Sequence, residues 1–354
     1  MHLFHDTPAY YNTNALMVRA WTDTYGGSVH ADMIVDANDG LNGGPAWSAS
    51  SANGTAYAFH DQVGQSAFAV GMCFKCTTLP GADKTILAVV DATGAIQVGV
   101  VLKTTGKLAV YRGAISAQLG SDSTDAIATS TTLEIGFKGT VADVGGEVEL
   151  WLGTAGTADS WERIIAVSGV DTAGGTGEAW RGVYIGAITT TFTSHLYARD
   201  GQGVDTDLVF GYTVGCKFPA SAGIYTGYTA NTGTLPAALD DTAADDDTTY
   251  GECFAQNASF TVGMGTVAST TETVYAVETV ASVKNTADGA GLSYIPRYVA
   301  DADSDPLIVD GSFKTPNTSA YKAFRERYPV NPATSLPWTV DELNAAEWGG
   351  YALA

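Results

Sequence analysis

The sequence predicts an all-β protein: two β-sandwich, jelly-roll-like domains with a short C-terminal helix. Three observations lead there. Short runs alternate apolar and polar residues, as in AFAVGMCFKC over 67–76 and GEVELWLG over 146–153. Turn signals such as Asp91-Ala-Thr-Gly94 and Thr104-Thr-Gly-Lys107 separate those runs at even spacing. The 41 glycines, with many threonines and alanines, favour strands and turns, and amphipathic helical stretches are few. A chain of 354 residues is long enough for two such domains, each with its own core.

Residues 1–50 read as an N-terminal arm carrying the first strands, with a turn-rich loop from Asp36 to Pro45. Trp47 and Tyr57–Phe59 suggest an early strand pair. From 51 to 203 the strand pattern is regular: Phe68–Cys76, Ile86–Asp91, Ile96–Leu102, Leu108–Arg112, Leu133–Phe137, Val148–Leu152, Ile164–Val167, Val183–Ile188 and Ser194–Arg199. Because each strand carries one apolar face, each sheet should cover a partner on one side only, which a two-sheet sandwich satisfies. The turn Asp200-Gly201 closes this domain. A second sandwich is expected over 204–330, with strands at Ala258–Val262, Thr273–Val283, Leu292–Val299 and Ala320–Tyr328.

The last segment, 331–354, reads as a capped helix and tail. Thr339 is a good N-cap and Glu342 stands three residues on, which makes a capping box. Pro337 forces an extended approach. Trp338 and Leu343 are the expected anchors of this helix.

Composition limits function. Lys plus Arg number 17 against 38 Asp plus Glu, a net charge of −21. A basic face for nucleic acid or for an anionic membrane is therefore not expected. No apolar run reaches the length of a membrane span, and MHLFHDTPAYY lacks a signal-peptide pattern, which points to synthesis in a cytoplasm. Cys73 and Cys76 form a C-x-x-C, but strand geometry points their thiols to opposite faces, so they read as structural. His2, His5, His30 and His60 show no metal-binding spacing.

Several quoted segments carry a resemblance. TTLEIGFKGTVADVGGEVELWLG and the exit His195-Leu-Tyr197-Ala-Arg-Asp200-Gly201 resemble the concanavalin-A-like (laminin-G-like) jelly-roll domains of tailed-bacteriophage structural proteins, with His195 where an Asp is commoner. The run Asp240–Asp247 with Tyr250 is similar to the acidic D-D-D-T-x-Y segment of those proteins. The ending from Asn331 to Glu347 is similar to their N-P-x-T-x-x-x-W-T-x-x-x-L-N-x-x-E ending, the most specific piece. The resemblance implies a structural component of a tailed-phage virion, in the tail, a fibre or an outer capsid decoration. It also implies assembly in the host cytoplasm by contacts with copies of itself and other virion proteins.

Candidate chemistry is sparse, and no catalytic residue is assigned. A retaining glycosidase needs two carboxylates about 5 Å apart. The nearest pair, Glu147 and Glu149, shares one strand face and reads as the solvent side of an amphipathic strand. The acidic cluster Asp240, Asp241, Asp245, Asp246 and Asp247 offers oxygen ligands to Ca²⁺, or is a solvated interdomain loop; it lacks the alternating calcium-loop pattern. No other cofactor is expected. Tyr225, Tyr228, Trp161 and Trp180 lie near loops or strand ends, where rings could stack on a sugar or simply pack. The alternative function is thus a carbohydrate-binding adhesin module recognising the host surface, with a glycoside hydrolase behind it.

Overall fold

The computed structural model describes residues 2–6, 28–29, 33–36, 45–51, 54–59 and 64–353, except 156, 158–159, 175–176, 178, 202–206, 213–214, 216, 241–246, 254, 269–272, 286–292, 301–305 and 317–319. The described chain is almost wholly β. It forms two compact units, Met1–Gly215 and Cys216–Ala354. The sequence patterning places the boundary at 203; the compact unit runs on to 215 because residues 207–212 pack back onto the first unit.

Unit 1 contains β1 (His2–Asp6), β2 (Ser28–Val29), β3 (Met33–Asp36), β4 (Ala46–Ala49), β5 (Gly54–Phe59), β6 (Ala67–Cys76), β7 (Lys84–Val90), β8 (Ile96–Leu102), β9 (Leu108–Arg112), β10 (Ala117–Leu119), β11 (Thr132–Thr140), β12 (Gly146–Thr154), β13 (Glu162–Val170), β14 (Gly182–Ala187) and β15 (Thr191–Arg199). They pair antiparallel in two sheets. One is eight-stranded in the order β13-β12-β11-β6-β15-β4-β3, with β1 also on β15; the other is seven-stranded in the order β10-β9-β8-β7-β14-β5-β2. Phe68, Val70, Met72 and Phe74 of β6 meet Leu87, Val89, Val98 and Val100 of the facing sheet in one core. Trp180 closes one edge, donating from Nε1 to the Ala67 carbonyl at 2.6 Å.

One expectation is corrected. The sheets are not covered on one side only. Ala88, Val101 and Ala109, which alternate with core residues, are fully buried on the other face of the seven-stranded sheet. The cause is visible in β7 and β8, KTILAVV and IQVGVVL, which read as nearly continuous apolar runs, the pattern of strands buried on both faces.

Unit 2 contains β16 (Pro219–Thr226), β17 (Thr229–Ala230), β18 (Gly251–Glu252), β19 (Ser259–Met264), β20 (Val277–Val283), β21 (Ser293–Ala300), β22 (Leu307–Asp310), β23 (Lys322–Tyr328) and β24 (Glu347–Leu353), with helices α1 (Leu235–Leu239) and α2 (Val340–Ala345). A five-stranded sheet in the order β16-β19-β24-β21-β22 packs against the β20–β23 ribbon. The 331–354 segment is more than a helix and tail. Glu347–Leu353 is the middle strand of that sheet, held between β19 and β21. Its glycines hid it: in EWGGYAL, Gly349 and Gly350 interrupt the apolar alternation that marks a strand.

The expected capping box is present. Thr339 Oγ1 accepts from the Glu342 backbone N–H at 3.2 Å, and Glu342 Oε2 accepts from the Thr339 N–H at 2.9 Å. That backbone bond, joined by the Thr339 hydroxyl and Asn331, outweighs burial and holds the Glu342 carboxyl below its usual range.

Candidate functional site

Two sheet faces carry the polar groups from which a site is built, one in each unit. On the face of the eight-stranded sheet turned away from the core, register aligns three rows. Gly153, Glu134, Cys73 and Ser194 form one; Trp151, Gly136, Gly71 and Tyr197 the next; Glu149, Lys138, Ala69 and Arg199 the third. The small residues of these rows form a trough. A Cβ on Gly71 would lie 2.3 Å from the Tyr197 ring, and one on Gly136 would lie 2.8 Å from Leu208.

The trough is filled by residues 207–212 of the chain itself. Val209 donates its N–H to the Tyr197 hydroxyl at 2.8 Å, which in turn donates to the Val209 carbonyl at 3.2 Å. The Gly211 N–H donates to the buried Glu134 carboxylate at 2.8 Å. Arg199 Nη1 reaches the Asp207 carbonyl at 2.8 Å, and Lys138 Nζ the Asp207 carboxylate at 2.9 Å. Phe210 stacks on Trp161 with ring centroids 4.0 Å apart. Burial raises the Tyr197 and Tyr212 phenols well above their usual range, so both stay protonated donors. Gly136→Leu is expected to push Leu208 and Phe210 off this face. Limited proteolysis should then cut within 207–212, the strap that fills the trough, many times faster than in the unaltered protein; an unchanged rate would show that the trough does not hold it.

Tyr197 and Arg199 face this trough because β15 slips register. Ser194 lies opposite Cys73 and Tyr197 opposite Gly71, so the extra residue bulges at His195, with φ at 50°. Leu196 and Ala198 then point into the core. His is among the residue types that tolerate a positive φ. Burial depresses the imidazole pKa from 6.5 to about 4. The sign follows: the unfolded state takes a proton first, so stability falls as pH drops from about 6.5 towards 4, by up to about 3 kcal/mol. His195→Asn, which keeps the positive φ, is expected to flatten that part of the pH profile. Urea midpoints at pH 7 and pH 4.5 check it; parallel pH dependence in both proteins refutes it.

Glu147 and Glu149 do share one strand face, but they do not form an acid–base pair with open space between them. Glu149 accepts from Arg163 at 2.7 Å and from Trp151 Nε1 at 3.1 Å, and lies 3.5 Å from Lys138 Nζ. These partners, against the opposing effect of burial, hold its carboxyl below the usual range, so it stays ionised. A general acid needs the reverse shift. Cys73 and Cys76 are buried free thiols on opposite strand faces, and burial raises both.

In unit 2 the face of the five-stranded sheet turned away from the core holds the second group. Arg297 of β21 donates through Nε and Nη2 to Asp310 of β22, at 2.7 and 2.9 Å. Its guanidinium lies 5.5 Å from the Tyr225 ring centroid and 4.6 Å from that of Tyr351. Gly349 lies opposite Arg297 in β24, and a Cβ on it would run into the Phe260 backbone of β19. Tyr351 donates to Asn257 Oδ1 at 2.6 Å. Beside them, Glu347 Oε2 accepts from Thr261 Oγ1 at 2.6 Å and from the Ile224 N–H at 2.8 Å. Both rings are half-buried, with part of each on the surface.

The remaining candidates fall elsewhere. Trp180 is core, Trp161 packs on Phe210, and Tyr228 tilts against Phe260 at 4.6 Å; only Tyr225 stands on an open face. Within the acidic run, Asp240 is the C-cap of α1, and Asp247 is tied to Lys284 at 2.6 Å and to the Tyr321 hydroxyl at 3.2 Å. Asp241, Asp245 and Asp246 lie outside the described residues. Among the described residues, no group of three or more His, Cys, Asp or Glu side chains is gathered to hold a metal. No described helix is long and apolar enough to cross a membrane.

These features define a class: an antiparallel β-sandwich protein of two units, with one sheet face closed by its own chain and another on which Tyr225 and Tyr351 stay half-exposed around Arg297. No family model and no curated protein matches the chain. A Trypanosoma rangeli sialidase in complex with a difluorinated sugar acid is similar at 14% identity over 48% of this chain and 27% of its own, TM-score 0.33. A cellulose-induced protein is similar at 13% identity over 53% and 94%, TM-score 0.38. A Shewanella oneidensis protein of unknown function is similar at 13% identity over 58% and 89%, TM-score 0.37. The chain thus spans about a quarter of the sialidase's length, and at these scores the likenesses carry no argument about activity.

Proposed function

We propose that this chain is a structural component of a tailed-phage virion, in the tail, a fibre or an outer capsid decoration, that works by protein–protein contact and without catalysis. The observation that supports this reading most is the fate of the ending that resembles the phage proteins. Its residues are consumed in building unit 2. The buried Asn331 accepts from the Ala333 N–H at 2.9 Å and from the Tyr298 hydroxyl at 3.1 Å. Trp338 Nε1 donates to the Tyr328 carbonyl at 2.9 Å, Leu343 packs on the same core, and Asn344 bonds both backbone groups of Val267. The segment that carries the resemblance thus serves the fold of unit 2, as an architectural part requires. The strap over the first sheet agrees, since the chain's own residues take a face on which a substrate would otherwise lie.

The test is whether the protein is present in particles. Phage particles purified by density gradient from cells making this chain should contain it in stoichiometric amount, and labelled antibody should decorate a fixed place on them. Its absence from purified particles would sink the proposal.

A second reading, a carbohydrate-binding adhesin module at the host surface, is favoured by one observation: the Tyr225–Arg297–Tyr351 group on the open face of unit 2. A virion part can also bind a glycan, so the two readings are tested separately.

A further inference from the structure

We infer that the open face of the five-stranded sheet in unit 2 is a glycan site for a neutral polysaccharide, with Tyr225, Arg297 and Tyr351 as its floor and Asp310 as its polar edge. This rests on the adhesin reading and gives it a location and a ligand class.

The argument starts from side chains that the fold does not require on this face. The unit's core lies on the other side, where Phe260, Val262, Tyr294, Tyr298 and Trp348 meet the β20–β23 ribbon. Tyr225 and Tyr351 add nothing to that core. They stand on strands separated by β19, and the arginine stacks against both. A guanidinium held by two rings and a bidentate carboxylate has little freedom left, so the cluster is preorganised. Sugar-binding surfaces have this chemistry: aromatic rings for the C–H face of a pyranose, beside fixed donors and acceptors for its hydroxyls.

Charge selects the class of glycan. Arg297 is matched by Asp310, so the floor is close to neutral, and Glu347 with its Thr261 and Ile224 partners stands alongside. The whole chain carries −21. An acidic polymer would approach a negative protein with no unpaired cation waiting on this floor, whereas a neutral hexose chain meets no such penalty. Nε and Nη2 are taken by Asp310, which leaves the Nη1 donors of Arg297 for a hydroxyl. The half-exposed Asp310 carboxylate supplies acceptors at the edge.

The experiment uses the full chain on an array of neutral and acidic glycans, followed by titration calorimetry with the best binder. Tyr225→Ala and Tyr351→Ala are each expected to weaken binding at least tenfold, with Tyr351→Phe within about twofold of the unaltered protein. Hydrogen exchange with saturating glycan should protect 219–226, 293–300 and 347–353, which reports the site even where an alanine variant does not fold. Binding of a neutral glycan that neither protects these segments nor responds to these variants overturns the location and leaves the adhesin reading standing. Binding confined to acidic glycans overturns the ligand class. No binding at millimolar glycan overturns both the inference and the adhesin reading, while the virion proposal stands or falls on the particle test.

Discussion

Trp338→Ala is expected to lower the stability of unit 2 by about 3–5 kcal/mol, the range for deleting a large buried aromatic. Trp338 is 4% exposed and stands edge-on to Tyr298 at 5.5 Å, with Trp348 5.8 Å away. The two neighbours also contact each other at 4.8 Å, and Tyr328 completes the group. Removing the indole opens a cavity inside this group and leaves the Tyr328 carbonyl without its donor. The box cannot collapse easily, because its rings come from three strands and a loop. Urea unfolding followed by tryptophan fluorescence, with hydrogen exchange to separate the units, measures the effect. Exchange in β6 and β11 should not change. A loss below about 1 kcal/mol would show that these rings are not the core of unit 2.

Glu278→Ala should be nearly as costly, at about 3–5 kcal/mol, for a different reason. The side chains of Arg325 and Glu278 are 1% and 0% exposed and form an ion pair across the β20–β23 ribbon, and Arg327 Nε lies 3.4 Å from the same carboxylate. Deleting the carboxylate strands a buried guanidinium, whereas deleting both charges does not. The double variant Glu278→Leu with Arg325→Met should therefore recover most of the loss, since replacing a whole buried pair by apolar groups is often neutral or stabilising. Two losses that simply add would refute the argument. The pair has a structural use as well: β20 and β23 are far apart in sequence, and this contact fixes their register.

The β content and most strands of unit 1 were legible because alternation is a local signal. Phe68–Cys76 and Ile96–Leu102 lie within or coincide with observed strands for that reason. What escaped was non-local. The bulge at His195 inserts one residue, and alternation in TFTSHLYAR does not reveal where the phase changes. The strap at 207–212 carries no strand signal, because its partners Tyr197 and Glu134 stand 63 residues apart in sequence, in register rows set only by folding. For the candidate glycan face, Tyr225 could be singled out by type, but Arg297 and Tyr351 could not. Their meeting depends on Glu347–Leu353 being a strand, which two glycines concealed. Thr339 and Glu342, by contrast, were readable as a capping box because every atom of that motif lies within four residues.

The middle place of β24 in its sheet bears on how the protein is made. Domains fold as units during synthesis, the N-terminal one first. Unit 1 has its strands by Arg199, but in unit 2 β19 and β21 have no partner on their facing edges until Glu347–Leu353 arrives between them. Until then both present unpaired backbone groups, the feature that invites sticking to other chains. A polypeptide interrupted before residue 347 should therefore aggregate through unit 2 while unit 1 folds.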